Sequence, residues 1–219
     1  MNWISGLKRI AIFLAGLLIL AFGIAFSTVS GLGISPLNSL AFVLGEIAEI
    51  QMGYITMILY VVYVFIEFLI KGKDFRVADL LQVPVAVLFG FFVNWTKGCL
   101  SGIICTNYLQ QILCILISIV LIAAGTTTYV VPKLVYQAPE GLIMAICGRW
   151  HKKFGTVKTG FDITVVVLSF LAGVIFSGRV MGIREGTLLA AFGVGICVNF
   201  FGKTLKPWLE RWMEKSSKS

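Results

Sequence analysis

Three carboxylates stand in apolar surroundings where an ionised group is costly: Glu67 in VVYVFIEFLIK, Asp162 in TGFDITVVV, and Glu140 directly after Pro139. Ionisable groups at bilayer depth are usually paired or functional. Glu67 lies one helical turn before Lys71, and Lys158 one turn before Asp162, which is the spacing of an ion pair on one helix face. Left unpaired, Asp162 has the chemistry of a proton carrier. Glu140 has two readings. It satisfies the partial positive charge of a helix start, or it holds a cation or proton.

A second group is neutral. The run Ser35-Pro36-Leu37-Asn38 opens a short apolar segment. Proline fits the first turn of a helix, where its missing N–H costs nothing, and a preceding serine is a helix-capping residue. A helix that starts inside a membrane aims unpaired N–H groups and positive potential into it, which favours an anion. Thr126, Thr127 and Thr128 follow Gly125; their hydroxyls either bond back to their own helix or line a polar cavity. The candidate substrate-binding residues are therefore Ser35, Pro36, Asn38, Glu140, Thr126 and Asp162. Asn94 and Asn199 are candidates to cap or cross-link helix ends.

Other chemistries are poorly represented. Cys99, Cys105, Cys114, Cys147 and Cys197 form no CxxC, and His151 is the single histidine. No zinc site is expected from that set, and neither a metal nor a cofactor is called for. The motifs of metalloproteases, nucleotide-binding loops and serine hydrolases are missing, so the expectation is not an enzyme. A Cys99–Cys105 disulfide is open if their loop faces an oxidising exterior.

These residues must be positioned by membrane helices. The 219-residue chain is 58% hydrophobic and only 13% charged, against roughly a quarter charged in soluble domains. Six long apolar segments lie at about 8–29, 54–70, 77–95, 109–131, 157–177 and 186–204. They do not alternate as barrel strands would. Two shorter ones, at 36–50 and 139–150, each open with a proline and are too short to span comfortably. They read as re-entrant or broken helices. The first apolar run exceeds a signal-peptide core and is read as a retained span.

With six crossings, 15 of the 18 Lys and Arg fall on the side of the N-terminus and three, Lys97, Arg179 and Arg184, on the other. Eight crossings would give 12 against six. The positive-inside rule favours six, with both termini cytoplasmic in the plasma (inner) membrane of a bacterium. Trp3, Trp95, Trp150, Trp208 and Trp212 sit at segment ends, where tryptophan suits the headgroup level. The net charge of +8 therefore reads as orientation and contact with membrane lipids rather than nucleic-acid binding.

The order of segments occurs twice. Gly23 pairs with Gly125, Pro36 with Pro139, Gly53 with Gly155, Gly72 with Gly178, Asp79 with Glu185 and Asn94 with Asn199, at offsets of 102 to 106 residues. The expected architecture is a single all-α transmembrane domain of six long helices and two short ones. Its two repeats, about 8–95 and 109–204, have three crossings each and thus inverted topology, an arrangement of secondary transporters. Gly and Pro at these places also suit plain tight packing of helices.

The stretch Gly31-Leu-Gly-Ile-Ser-Pro-Leu-Asn38, the short helix after it, Gly53-Tyr54 opening the next span, and Ala138-Pro139-Glu140-Gly141 in the second half together resemble the YczE/YitT-type small bacterial membrane proteins. The resemblance implies a bacterial inner-membrane protein. Some members are encoded beside pyridoxal-phosphate-dependent regulators, which hints at a vitamin B6 or amino-acid-related solute. YitT-type members often carry a soluble C-terminal domain, so the resemblance lies nearer the YczE side. The leading expectation is a transporter or exporter of a small anionic solute by alternating access. The alternatives are the substrate-binding membrane subunit of a multi-component vitamin transporter and a structural or lipid-handling membrane protein. Partners would be membrane lipids and a small-molecule solute, with a homo-oligomer open.

Overall fold

The computed structural model describes residues 3–215, with side chains from 6 to 213. Trp3 and Lys215 have no described side chain, and Lys218 lies outside the described residues. Eight α-helices follow one another: α1 (Trp3–Ser30), α2 (Pro36–Ala48), α3 (Met52–Lys71), α4 (Gln82–Cys99), α5 (Tyr108–Val130), α6 (Ala138–Trp150), α7 (Phe154–Ser177) and α8 (Glu185–Lys215). Two 3-10 turns, Gly72–Asp74 and Val77–Leu81, join α3 to α4. No strand occurs among the described residues. Six helices are long and apolar enough to cross a membrane. In a bilayer a helix satisfies every backbone polar group within itself, which explains the uniform class. At 1.5 Å per residue, the 13-residue α2 and α6 reach about 20 Å, well short of a hydrocarbon core of about 30 Å.

Helix ends follow local chemistry. Pro36 is the first residue of α2 and Pro139 the second of α6. Both short helices stop at a left-handed residue, Glu49 and His151, whose N–H bonds the carbonyl four residues back, on Gly45 and Cys147. The Asn107 side chain caps α5 by accepting from Gln110 N at 2.9 Å. The apolar run at 77–95 is split. Asp79 accepts from Arg76 N and Lys71 Nζ, both at 3.0 Å, which holds residues 77–81 as a turn before α4 begins. α8 extends beyond the apolar run ending near 204, because Leu209 and Met213 pack with Ile12 and Val131. Lys8 lies over the Trp212 ring, so the start of α1 and the end of α8 share one side.

α1 and α5 pack antiparallel with their backbones in contact. Gly16 meets Tyr129, Leu20 meets Gly125, and Gly23 meets Ile122. Such close approach through small residues is how helices associate where lipid removes the hydrophobic drive. α3 and α4 are antiparallel too, with Gly53 beside Asn94 and Gly90 beside Met57. The short helices behave differently. α2 runs in the same direction as α7: Ser39 meets Ser169 and, one turn on, Val43 meets Gly173. α6 likewise follows α3, from Tyr60 against Gln137 to Glu67 against Gly141.

Segment 31–35 turns back along α1, where Ser27 Oγ donates to Gly33 O at 3.1 Å. It is fastened to the α7–α8 connection by Ile34 N to Gly182 O at 2.9 Å and Gly186 N to Leu32 O at 2.8 Å. α2 therefore begins inside the bundle, not at its end.

The two halves share a register of 102 residues. Gly31 and Lys133 both have positive φ, as do Glu49 and His151; α2 and α6 begin at 36 and 138, α3 and α7 at 52 and 154. Exchanging the halves maps the α1–α4 contact onto α5–α8, α2–α7 onto α6–α3, and α2–α3 onto α6–α7. The largest contact without a counterpart joins α3 and α4. α3 packs along α4, whereas α7 and α8 make no comparable contact among the described residues.

Candidate functional site

A polar cluster lies at the start of each short helix. At α2 it is neutral. Asn38 Nδ2 donates to Ser35 Oγ at 2.9 Å, and the Ser35 side chain makes no capping bond to the helix. Ser39 Oγ and Ser169 Oγ are 2.8 Å apart, and Ser169 donates onward to Val165 O. Ser30 donates to Ser27 O. Ser35, Asn38, Ser39 and Ser169 are all buried, and Pro36 opens the helix beneath them. The first turn of α2 carries no acidic residue.

The cluster at α6 is charged. Glu67 is fully buried and accepts from Lys71 Nζ at 2.5 Å and from Gln82 Nε2 at 2.8 Å. Lys71 also reaches Asp79. Gln82 is the first residue of α4, directly after the turn that carries Asp79 to Lys71. Gly141 provides the room: a Cβ there would collide with Gln82 and Glu67. Tyr60 OH donates to Gln137 Oε1 at 3.4 Å, just before α6. On the other flank Lys158 and Asp162 of α7 pair through both carboxylate oxygens, at 2.5 and 2.7 Å.

Four buried polar atoms here have no partner: Gln82 Oε1, Tyr129 OH, Gln137 Nε2 and Glu140 Oε2. Only two others, Asn94 Nδ2 and Ser118 Oγ, share that state among the described residues. Unpaired buried polar atoms cost about 1–3 kcal/mol each, and here four gather around one helix start, with Tyr129 beside Glu140.

The 102-residue register relates the clusters residue by residue. Asn38 corresponds to Glu140, Ser39 to Gly141 and Ser169 to Glu67. The hydroxyl pair of the first half is thus replaced by a glycine facing a carboxylate in the second. In this register the two prolines fall one residue apart.

Thr126 is half-buried on α5 and takes no part in either cluster. Thr127 and Thr128 bond back to Ala123 O and Ala124 O. Asn94 Oδ1 caps α3 by accepting from Gly53 N at 2.7 Å, while Asn199 is exposed on α8. Cys105 faces Cys114, with sulfurs 3.4 Å apart, rather than Cys99. No group of three His, Cys, Asp or Glu among the described residues could hold a metal ion. Gln82, Gln137, Tyr60 and Tyr129 are the cluster members that sequence reasoning passed over. Mid-span tyrosines and glutamines at the edges of apolar runs were their only signal.

A family model matches residues 7–203, from the start of α1 well into α8. The chain belongs to DUF6198, a family of unknown function. The match takes in every residue of both clusters. The chain is 28% identical over 201 residues to an uncharacterized protein of Haemophilus influenzae, covering 91% of this chain and 85% of that one. It is also 28% identical over 196 residues to the uncharacterized membrane protein YczE of Bacillus subtilis, covering 88% and 84%. The YczE-type resemblance carried by residues 31–38 agrees with this. No solved structure matches the chain. This DUF6198 member is a polytopic α-helical membrane protein with bacterial relatives.

Proposed function

We propose that the protein is a secondary transporter of a small anionic solute, built from two inverted repeats that rock against each other across the α1–α5 crossing. One observation carries the reading: each short helix starts inside the bundle and runs alongside the third helix of the other half, at a common register of 102 residues. Broken or short helices at matching places of inverted repeats hold the substrate in this class of membrane protein. The largest unmatched contact supports alternation. With α3 closed on α4 and α7 apart from α8, exchanging the two arrangements gives the opposite state. The orientation is that of the basic residues, with both termini in the cytoplasm of a bacterial inner membrane.

The α2 cluster is the place for an anion. Its first turn has no carboxylate, and the Leu37 N–H, with the Ser35 hydroxyl and the Asn38 side-chain amide, offers donors. Proteoliposomes should take up one or more labelled small carboxylates or phosphate esters, and the Ser35→Ala/Asn38→Ala double variant should lose that uptake. No uptake of any member of a broad panel in either orientation, or a fully active double variant, would reject the reading.

A further inference from the structure

We propose that Glu140 is a proton-binding residue and that its proton drives the conformational exchange. The coupling role rests on the transporter reading; the binding of a proton does not.

Every other carboxylate in this region is paired with a lysine, Glu67 and Asp79 sharing Lys71. Glu67 is held by Lys71 and Gln82, and Asp162 by Lys158. Asp79 takes Lys71 and the Arg76 backbone. Glu140 is left over. Its Oε2 is shut off from solvent and has no hydrogen-bond partner. The ionisable groups facing it come from each neighbouring element: Tyr129 on α5, Tyr60 on α3, and Lys158 with Asp162 on α7, with Tyr63 beside Tyr60 and Tyr136 beside Tyr129. The one cation among these, Lys158, is already committed to Asp162. Glu140 as a residue is only partly buried, but a carboxylate oxygen enclosed without a cation of its own is costly at bilayer depth, and the smallest group that removes the charge is a proton.

The surroundings suit both states. Ionised Glu140 can accept from the Tyr129 hydroxyl, a buried donor without a partner. When Oε2 takes a proton from water, an O–H bond forms and one donor is gained. Gln82 Oε1, against the next residue Gly141, is a buried acceptor without a partner in the same cluster. Release returns the proton to water and the carboxylate to Tyr129. Tyr129, Gln82 and Gln137 are each at least nine-tenths buried. The counterpart of Glu140 in the first half is the neutral Asn38, so only one half carries the switch. No group of three His, Cys, Asp or Glu among the described residues could hold a metal ion at this place.

Infrared titration of the purified protein in nanodiscs, in choline buffer and without any solute, tests this. The expected result is a protonated-carboxyl C=O band near neutral pH. It should be lost in Glu140→Gln, kept in Glu67→Gln and moved in Tyr129→Phe. Absence of the band, its persistence in Glu140→Gln, or its loss when sodium replaces choline would overturn the assignment. If Glu140→Gln does not fold, Glu140→Asp and Tyr129→Phe decide: a band displaced in both supports the site, and one unmoved in both rejects it. A Glu140 band in a protein that transports nothing would defeat the transporter reading and leave the proton site standing.

Discussion

The backbone of Gly141 lies directly against the carboxylate of Glu67. A Cβ added at Gly141 would stand 2.7 Å from Glu67 Oε2 and 2.5 Å from Gln82 Oε1. Those groups are pinned by Lys71 and by each other, so the helix must move instead. Gly141→Ala is expected to destabilise by about 1–3 kcal/mol, the usual cost of overpacking. Gly148→Ala, on the same helix with open space around it, should not. Melting in detergent gives the comparison, and equal melting temperatures for the two variants would refute the close approach.

The correspondence of Ser39 with Gly141 and Ser169 with Glu67 makes a sharper prediction. Gly141→Ser and Glu67→Ser should each destabilise alone, the first by collision and the second by stranding Gln82. Together they would build in the second half the hydroxyl pair of the first. The double variant should therefore be more stable than the two losses added, by about 0.5–3 kcal/mol. Additive losses would mean that the two places are not equivalent.

The two ion pairs differ in depth. Glu67 is fully buried beside a Lys71 that is 25% exposed, whereas Lys158 and Asp162 are 32% and 27% exposed. Lys71→Met leaves a buried carboxylate without its cation and should cost up to about 3–5 kcal/mol. Lys158→Met should cost no more than about 1 kcal/mol. A reversed order in thermal melts would contradict the burial of Glu67.

At the α1–α5 crossing, a Cβ on Gly125 would meet Leu20 N at 2.5 Å. Gly125→Ala and Gly16→Ala should lower the melting temperature, with losses of about 1–3 kcal/mol. Gly202→Ala on α8, where nothing lies within 4 Å, serves as the neutral control.

Cys105 and Cys114 should cross-link. With sulfurs 3.4 Å apart, mild oxidation of membranes should remove two thiols from alkylation in the wild type. It should remove neither in Cys105→Ser. Protection of Cys99 instead would contradict the packing of the loop on α5.

The spans were legible because bilayer thickness imposes one length on apolar runs, and α3, α5 and α7 begin and end within a few residues of theirs. The short helices were legible from Pro36 and Pro139, since a proline tolerated only in a first turn marks where a helix starts. The extension of α8 past 204 was less visible. It is held by Leu209 and Met213 at helical spacing on otherwise polar chain. The ion pairs of Glu67 and Asp162 could be read from spacing, but not the complete burial of Glu67, which depends on Gln82 and Gly141 arriving from two other helices. The α6 cluster was hidden for the same reason. Gln82, Gln137 and Tyr129 are far apart in sequence, and each looks like an isolated polar residue in an apolar run. The sequence pairs span offsets of 102 to 106 residues; Gly23 with Gly125 and Gly53 with Gly155 share the 102-residue spacing of the backbone landmarks at 31, 49, 133 and 151, which aligns Asn38 with Glu140.

The glycine-lined crossing of α1 and α5 has a mechanical consequence. Among the described residues it is the most extensive helix contact, and exchange of the halves maps it onto itself. A turn of one half about that joint moves atoms in proportion to their distance from it. Residues such as Leu20 and Gly125 would hardly shift, while α3 and α7, which pack on neither α1 nor α5, would travel farther than α4 and α8. If the proposed rocking of the halves occurs, the joint is its pivot and the helices that do not touch it are the lever arms, so bulk added on α1 or α5 should jam the motion at less displacement than the same bulk placed on α7.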